Sequence, residues 1–219
     1  MPRLLFEKTG NAIWISHLDL MRLFQRAFKR AGLPLTHTHG YNPRPSVSIA
    51  LPLSVGVESR CELLDFDLVG EKLPCGQIME SLNKALVEGV RVLDVYDEGR
   101  KLKHLAYLEC EVELEYDAGI SGDALDSIRR LFRADSLILE KKSKNGVTQQ
   151  DIIPMIRSMD VSAPDENTAV LRAVFCCQNP TLNPTQLAAA VENYLPELKP
   201  DHSRCRRIEI FDTNETVFR

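Results

Sequence analysis

Apolar positions in the first hundred residues shift between a two-residue period and one near 3.6, and each shift marks an element. "RLLFEKTG" (3–10) is a short strand closed by a Gly turn. "ISHLDLMRLFQRAFKRAGLP" (15–34) is the clearest helix. Ser16 stands at its N-cap, Asp19 completes a box-like S-x-x-D, and Gly32-Leu33-Pro34 stops it. Leu18, Met21, Phe24, Phe28 and Ala31 recur on one face, which the spacing assigns to the core. "SVSIAL" and "CELLDFDL" are the next two strands; in the second, Leu64, Phe66 and Leu68 share a face opposite Leu63, Asp65 and Asp67. "CGQIMESLNKAL" is a second helix and "VRVLDVYD" a closing strand.

The order then repeats. "KHLAYLECEVELEYD" alternates strictly, as a half-exposed strand does, and "SGDALDSIRRLFRA" is a helix with an N-cap signal. "SLILEKKSK" is a strand. The apolar pair "DIIPMIRSMDVS" and "TAVLRAVFCCQ" follows, joined across a polar turn at Pro164–Asn167. "NPTQLAAAVENYL" is a helix opened by Pro184, and "RCRRIEIFD" is the last strand. The pattern predicts an α+β fold: two tandem ferredoxin-like (β-α-β-β-α-β) units with antiparallel sheets, the second carrying an extra strand region. The N-terminal unit would span 1–98, with the basic helix and a proline-rich loop, and the C-terminal unit 103–219. The repeat is topological, with no residue-level self-similarity.

Net charge is −4, but residues 1–60 hold eight Lys and Arg against three acids, a balance of +5 that leaves −9 for the other 159 residues. Local fields rather than totals choose partners. The helix side opposite the expected core carries Arg22, Arg26, Lys29 and Arg30, one basic stripe about two turns long. Its bland reading is a solvated helix surface. Directly after it come His37, His39, Tyr41, Asn42 and Arg44, in the stretch "HTHGYNPRPS". Guanidinium groups for phosphate and flat rings for bases are what hold single-stranded nucleic acid. Pro43 and Pro45 fix φ and push their predecessors toward extended geometry, so the segment loses little entropy when a ligand orders it. Its bland reading is a rigid connection across a hairpin. Pro52 removes a ladder donor, which places "SVSIAL" at a sheet edge. Further basic sets, Arg204, Arg206 and Arg207 in the last strand and "KKSK" at 141–144, would join the same surface only if the fold brings them there.

His37 and His39 share a face if extended. With His17 they would make a three-nitrogen metal site; alternatively they would be acid and base in metal-independent RNA cleavage, with Tyr41 or Arg44 stabilising charge. No P-loop, G-x-S-x-G or dinucleotide fingerprint is present, and no cofactor is expected. The six cysteines (Cys61, Cys75, Cys110, Cys176, Cys177, Cys205) form no C-x-x-C pair and read as free thiols. Without a run near the roughly 18 apolar residues of a membrane helix, or a signal-peptide pattern after Met1, a cytoplasmic protein is expected.

"SHLDLMRLFQRAFKRAGLPL", "GYNPRPSVSIALPLSVGVES" and "LDFDL" together resemble the radical-SAM-associated (radical-SAM-linked) protein family, a bacterial domain of unknown function. The resemblance is specific across 3–69; beyond that, "DIIPMIRSM" and "RCRRIEIF" follow the family in outline. Family sequences often show Phe-Asn-Pro-His-Pro where this chain has Tyr41-Asn42-Pro43-Arg44-Pro45, so any chemistry of that histidine is missing here. Members are fused behind a radical-SAM enzyme or encoded near one, so the resemblance implies a separately encoded radical-SAM enzyme as partner. The chain lacks the C-x-x-x-C-x-x-C set that would hold a radical-SAM cluster, so it is not that enzyme. The expected role is a non-catalytic RNA-binding accessory protein acting with a radical-SAM enzyme or RNA-processing machinery. Alternatives are a module that docks the enzyme without RNA, and a histidine-dependent ribonuclease.

Overall fold

A computed structural model describes residues 1–143 and 146–219. The fold is mixed α+β, with antiparallel strand pairing and four α-helices among the described residues. The chain divides into two compact units, residues 1–104 with 217–219, and residues 105–216.

The first unit runs β1 (Arg3–Lys8), a 3-10 turn (Gly10–Trp14), α1 (His17–Arg30), β2 (Val47–Ile49), β3 (Val57–Phe66), α2 (Cys75–Ala85) and β4 (Val90–Tyr96). Its strands lie in the order β4-β1-β3-β2, every neighbour antiparallel, with β2 at the edge that Pro52 foretells. Leu4 and Phe6 of β1 and Leu64 and Phe66 of β3 point to one side, where Leu20, Phe24, Ala27 and Phe28 of α1 and Ile78 and Leu82 of α2 bury them. Phe6 meets Phe24 edge to face at 4.7 Å. The buried α1 positions follow i, i+4, i+7, i+8. Leu18 is not among them: it is 66% exposed, whereas Leu20 is 2% exposed. At about 100° per residue the two lie nearly on opposite sides of the helix, and the buried stripe begins at Leu20, two residues after the Leu18 that the spacing assigns to it.

The opposite face of this sheet is closed by the chain's last residues. Arg3 is buried and forks onto Asp65 across the β1–β3 pair, Nε to Oδ1 at 2.6 Å and Nη2 to Oδ2 at 3.0 Å. The Phe218 ring, fully buried, stacks 5.4 Å from the Arg3 guanidinium and 5.2 Å from that of Arg100. Gly99 passes so close that a Cβ there would lie 2.6 Å from the Arg3 guanidinium carbon, so only glycine fits.

The second unit runs β5 (Leu105–Glu115), α3 (Gly122–Leu131), the hairpin β6 (Ile138–Ser143) and β7 (Gly146–Asp151), β8 (Ile156–Ser162), β9 (Thr168–Cys176), α4 (Thr185–Tyr194) and β10 (His202–Asp212). Its main sheet has the order β10-β5-β9-β8, again all antiparallel. Along β5, Leu108, Cys110, Val112 and Leu114 point inward and Tyr107, Glu109, Glu111, Glu113 and Glu115 outward, the strict alternation of its sequence. The hairpin's second strand, "GVTQQD", carries no apolar alternation and escapes the sequence reading. No helix among the described residues is long and apolar enough to cross a membrane.

Candidate functional site

Helix α1 is set by its N-cap. The Ser16 hydroxyl accepts from the Asp19 amide at 3.2 Å and donates to the Asp19 carboxylate at 2.7 Å, satisfying an orphan amide of the first turn. That bond, and then the one from Arg22, hold the Asp19 carboxyl below the usual range. With the apolar stripe of α1 turned to the sheet, Arg22, Arg26, Lys29 and Arg30 are all exposed.

The four cations divide between two clefts. Arg22, Arg26 and Arg30, spaced i, i+4 and i+8, line a cleft of about 480 Å³ together with Ile15, Asp19, Leu23 and Val87. Arg22 bonds Asp19 at 2.9 Å, an i,i+3 pair with both side chains more than half exposed and therefore weak. Arg30 donates to the Ala85 carbonyl at 2.6 Å, capping the last turn of α2, and lines the cleft. Arg26 and Lys29 make no ion pair among the described residues, and Asp19 is the single carboxylate lining the cleft. Lys29 belongs to a second cleft of about 590 Å³, with Gln25, Phe28, Gly32, Leu33, Pro34, Leu35, His37 and Pro45. There the end of the helix and the proline segment face each other across mostly apolar walls.

The proline segment is a tied hairpin. Thr38 N–H donates to the Arg44 carbonyl at 2.8 Å and Arg44 N–H to the Thr38 hydroxyl at 3.0 Å; Ser46 N–H donates to the Thr36 carbonyl at 2.8 Å. Its base is pinned on Asp67, whose carbonyl accepts from the Thr36 amide at 2.9 Å and whose carboxylate accepts from the Thr36 hydroxyl at 2.8 Å. Gly40, at φ +146°, lets the tip reverse. His39, Tyr41, Asn42 and Arg44 stand out from that tip, Tyr41 wholly exposed. They line neither cleft. Only the stalk residues His37 and Pro45 share a wall with α1, through Lys29. The basic stripe and the proline segment, adjacent in the sequence, thus form two clefts on the flanks of α1 and a separate exposed tip.

The other predicted groups fall elsewhere. Arg204 and Arg206 lie on the outward face of β10 and are neutralised by β5: Arg204 meets Glu115 at 2.9 Å and Arg206 meets Glu111 at 3.8 Å. Arg207 points to the other face of the strand and is buried. Of "KKSK" at 141–144, Lys144 and the side chains of the other three lie outside the described residues. Among the described residues no three His, Cys, Asp or Glu side chains gather to hold a metal ion, so His17, His37 and His39 do not form one site. No disulfide joins cysteines among the described residues, and burial pushes the Cys177 thiol up to about 12 and the Cys205 thiol up to about 11, away from thiolate chemistry.

One exposed group escapes the sequence reading. Trp14, the chain's single tryptophan, closes the 3-10 turn before Ser16 and is 68% exposed. Its signal was position: it stands in "TGNAIWIS", the connection between strand and helix, off every periodic apolar stripe.

The fold and surface define an α+β protein built from antiparallel sheets with helices on one face, carrying a cationic helix and an exposed aromatic hairpin. The chain belongs to the bacterial family described as "Uncharacterized protein conserved in bacteria (DUF2344)", which matches residues 2–184. No curated protein matches it. Among solved structures, a chain of a Cbf5–Nop10–Gar1 complex is similar over 95% of this chain and 48% of its own, with TM-score 0.53 and 9% identity. A chain of an archaeal box H/ACA sRNP Nop10–Cbf5 complex is similar over 94% and 46%, with TM-score 0.47 and 8% identity. The protein spans about half the length of these chains, and at such identity the likeness is one of fold alone.

Proposed function

We propose that the protein is a non-catalytic RNA-binding accessory protein whose first unit grips single-stranded RNA along α1. The observation that carries this reading is the set of Arg22, Arg26 and Arg30 in one cleft, at successive turns of α1, opposed there by Asp19 alone. Guanidinium groups about 6 Å apart along a helix axis, four residues at 1.5 Å each, suit consecutive phosphates of a strand. Tyr41 and His39 at the tied hairpin supply flat faces for unpaired bases, and Asn42 and Arg44 supply donors. Binding through phosphates is salt-dependent, and fluorescence anisotropy of a labelled single-stranded RNA between about 50 and 200 mM salt tests it directly. A chain that binds no RNA at the low end of that range removes the proposal. A histidine ribonuclease is less well supported, because neither His37 nor His39 carries a carboxylate partner among the described residues.

The same proposal takes each unit as ferredoxin-like. Numbering each unit's main strands in chain order, the strands of each unit run 4-1-3-2, with a helix after the first and third strands, and the β6–β7 hairpin is an insertion. It also takes the partner implied by the sequence resemblance, a separately encoded radical-SAM enzyme, as the machinery the RNA is delivered to. Co-purification of the two chains after nuclease treatment would mean that they dock directly. Loss of the complex on nuclease treatment would mean that RNA bridges them.

A further inference from the structure

We propose that Trp14 is the stacking platform for an unpaired RNA base at the start of the arginine-lined side of α1; this rests on the RNA reading above. A large aromatic ring left 68% in water forfeits burial energy that other positions of this unit collect, since Phe6, Phe24, Phe28 and Phe66 are fully buried. The exposure is built in rather than frayed. The Gly56 amide donates to the Ile13 carbonyl at 2.9 Å, tying the turn before β3 to the 3-10 turn that carries the indole. The six-membered end of the indole comes close to Gly56, at φ +84°: a Cβ there would sit 3.4 Å from Cζ3 and 3.8 Å from Cη2 of Trp14. The indole is therefore held beside backbone at one end while the side chain as a whole stays open. An open ring on an anchored turn is what a base stacks on.

Charge argues for nucleic acid as the occupant. Residue 14 stands three positions before α1, and Arg22 follows about 8 Å along the axis from the helix start. Ile15, the next residue, is already a wall of the cleft that Arg22, Arg26 and Arg30 line. The nearby carboxylates are engaged: Asp19 with Ser16 and Arg22, and Glu58 with the Gly10 amide at 3.4 Å. A base on the indole would place its own phosphates toward the cations. Leu18, 66% exposed four positions on from Trp14, adds an apolar edge to the same end of the helix.

Because Trp14 is the chain's one tryptophan, its emission reports this site alone. The full chain is titrated with a short fluorescein-labelled oligoadenylate and, separately, with an abasic ribose-phosphate oligomer of equal length. Both are followed by anisotropy, and their unlabelled forms by Trp14 emission. The expected result is that both bind, only the oligoadenylate quenches the tryptophan, and Trp14→Ala weakens oligoadenylate about tenfold while leaving the abasic oligomer unchanged. Trp14→Phe, which keeps a smaller ring, recovers part of the loss, and matching thermal melts show that the variants fold. If oligoadenylate binds with no quenching and Trp14→Ala binds as tightly as the native chain, the platform is refuted and the RNA reading stands. If neither oligomer changes anisotropy, both fall.

Discussion

Two sets of arginines in this protein look alike in the sequence and end up with opposite electrostatic fates. On α1 of the first unit, Arg22, Arg26 and Arg30 share a cleft with one carboxylate, contributed by their own helix. On β10 of the second unit, Arg204 and Arg206 face the glutamates of β5, and Arg172 of β9 meets the same row at Glu109 (2.7 Å) and Glu111 (3.7 Å). The one carboxylate beside the α1 cations stands three positions away on the same helix, so this charge balance can be read from the local sequence. A sheet strand takes its neighbours from across the ladder, here some ninety residues away, and those neighbours decide whether its cations are available. Basic residues are therefore a count, and basic surfaces are a property of pairing.

The comparison can be broken or sharpened in four ways. The largest effect is expected from the triple variant Arg22→Ala, Arg26→Ala, Arg30→Ala. It should weaken RNA at least about tenfold at low salt and flatten the dependence of log affinity on log salt by about 2. An unchanged slope in anisotropy titrations would mean that α1 holds no phosphates. Next comes the reverse experiment on the second unit: Glu109→Gln, Glu111→Gln and Glu115→Gln together should release Arg172, Arg204 and Arg206. Non-specific RNA binding should then rise several-fold, at a stability cost of about 1 kcal/mol or less per exposed pair in urea melts.

The third concerns the helix itself. Ser16→Ala should cost about 1 kcal/mol in urea unfolding at neutral pH through the lost cap. It should also change the acid limb. The Asp19 carboxyl is held below its ordinary range, mainly by Ser16 and then by Arg22, so its contribution is complete above the ordinary range and disappears as pH falls through the lowered value. In the variant the loss is already complete at a higher pH and the pH-dependent part shrinks; identical acid titrations would show that Asp19 is not coupled to the cap. The smallest effect is expected from Arg204→Ala with Arg206→Ala, which should alter RNA affinity by less than about twofold, because those cations are already paired.

Much of the first unit was legible because its signals are local. The Ser16 cap, the Gly32-Leu33-Pro34 stop and the alternation of β3 each act within a few residues. Leu18 misled the reading because spacing alone does not say where along a helix the sheet begins to cover it. Strand β7 was missed because a polar hairpin needs only its partner's backbone, which leaves no apolar signature. The α1 cations were legible as a stripe, but not their division into two clefts, which depends on where the α2–β4 turn and the 36–46 hairpin pack. Trp14 drew no attention because periodic patterns reward residues that fit a face, and this one fits none.

The buried Phe218 has a consequence for how the chain is made. Residues 217–219 belong to the first unit, where Phe218 covers the Arg3–Asp65 fork under Gly99. During synthesis residues 3, 65 and 99 therefore leave the ribosome with an unshielded guanidinium and an empty aromatic slot. These stay open until more than a hundred further residues have been translated and residue 218 returns to close them.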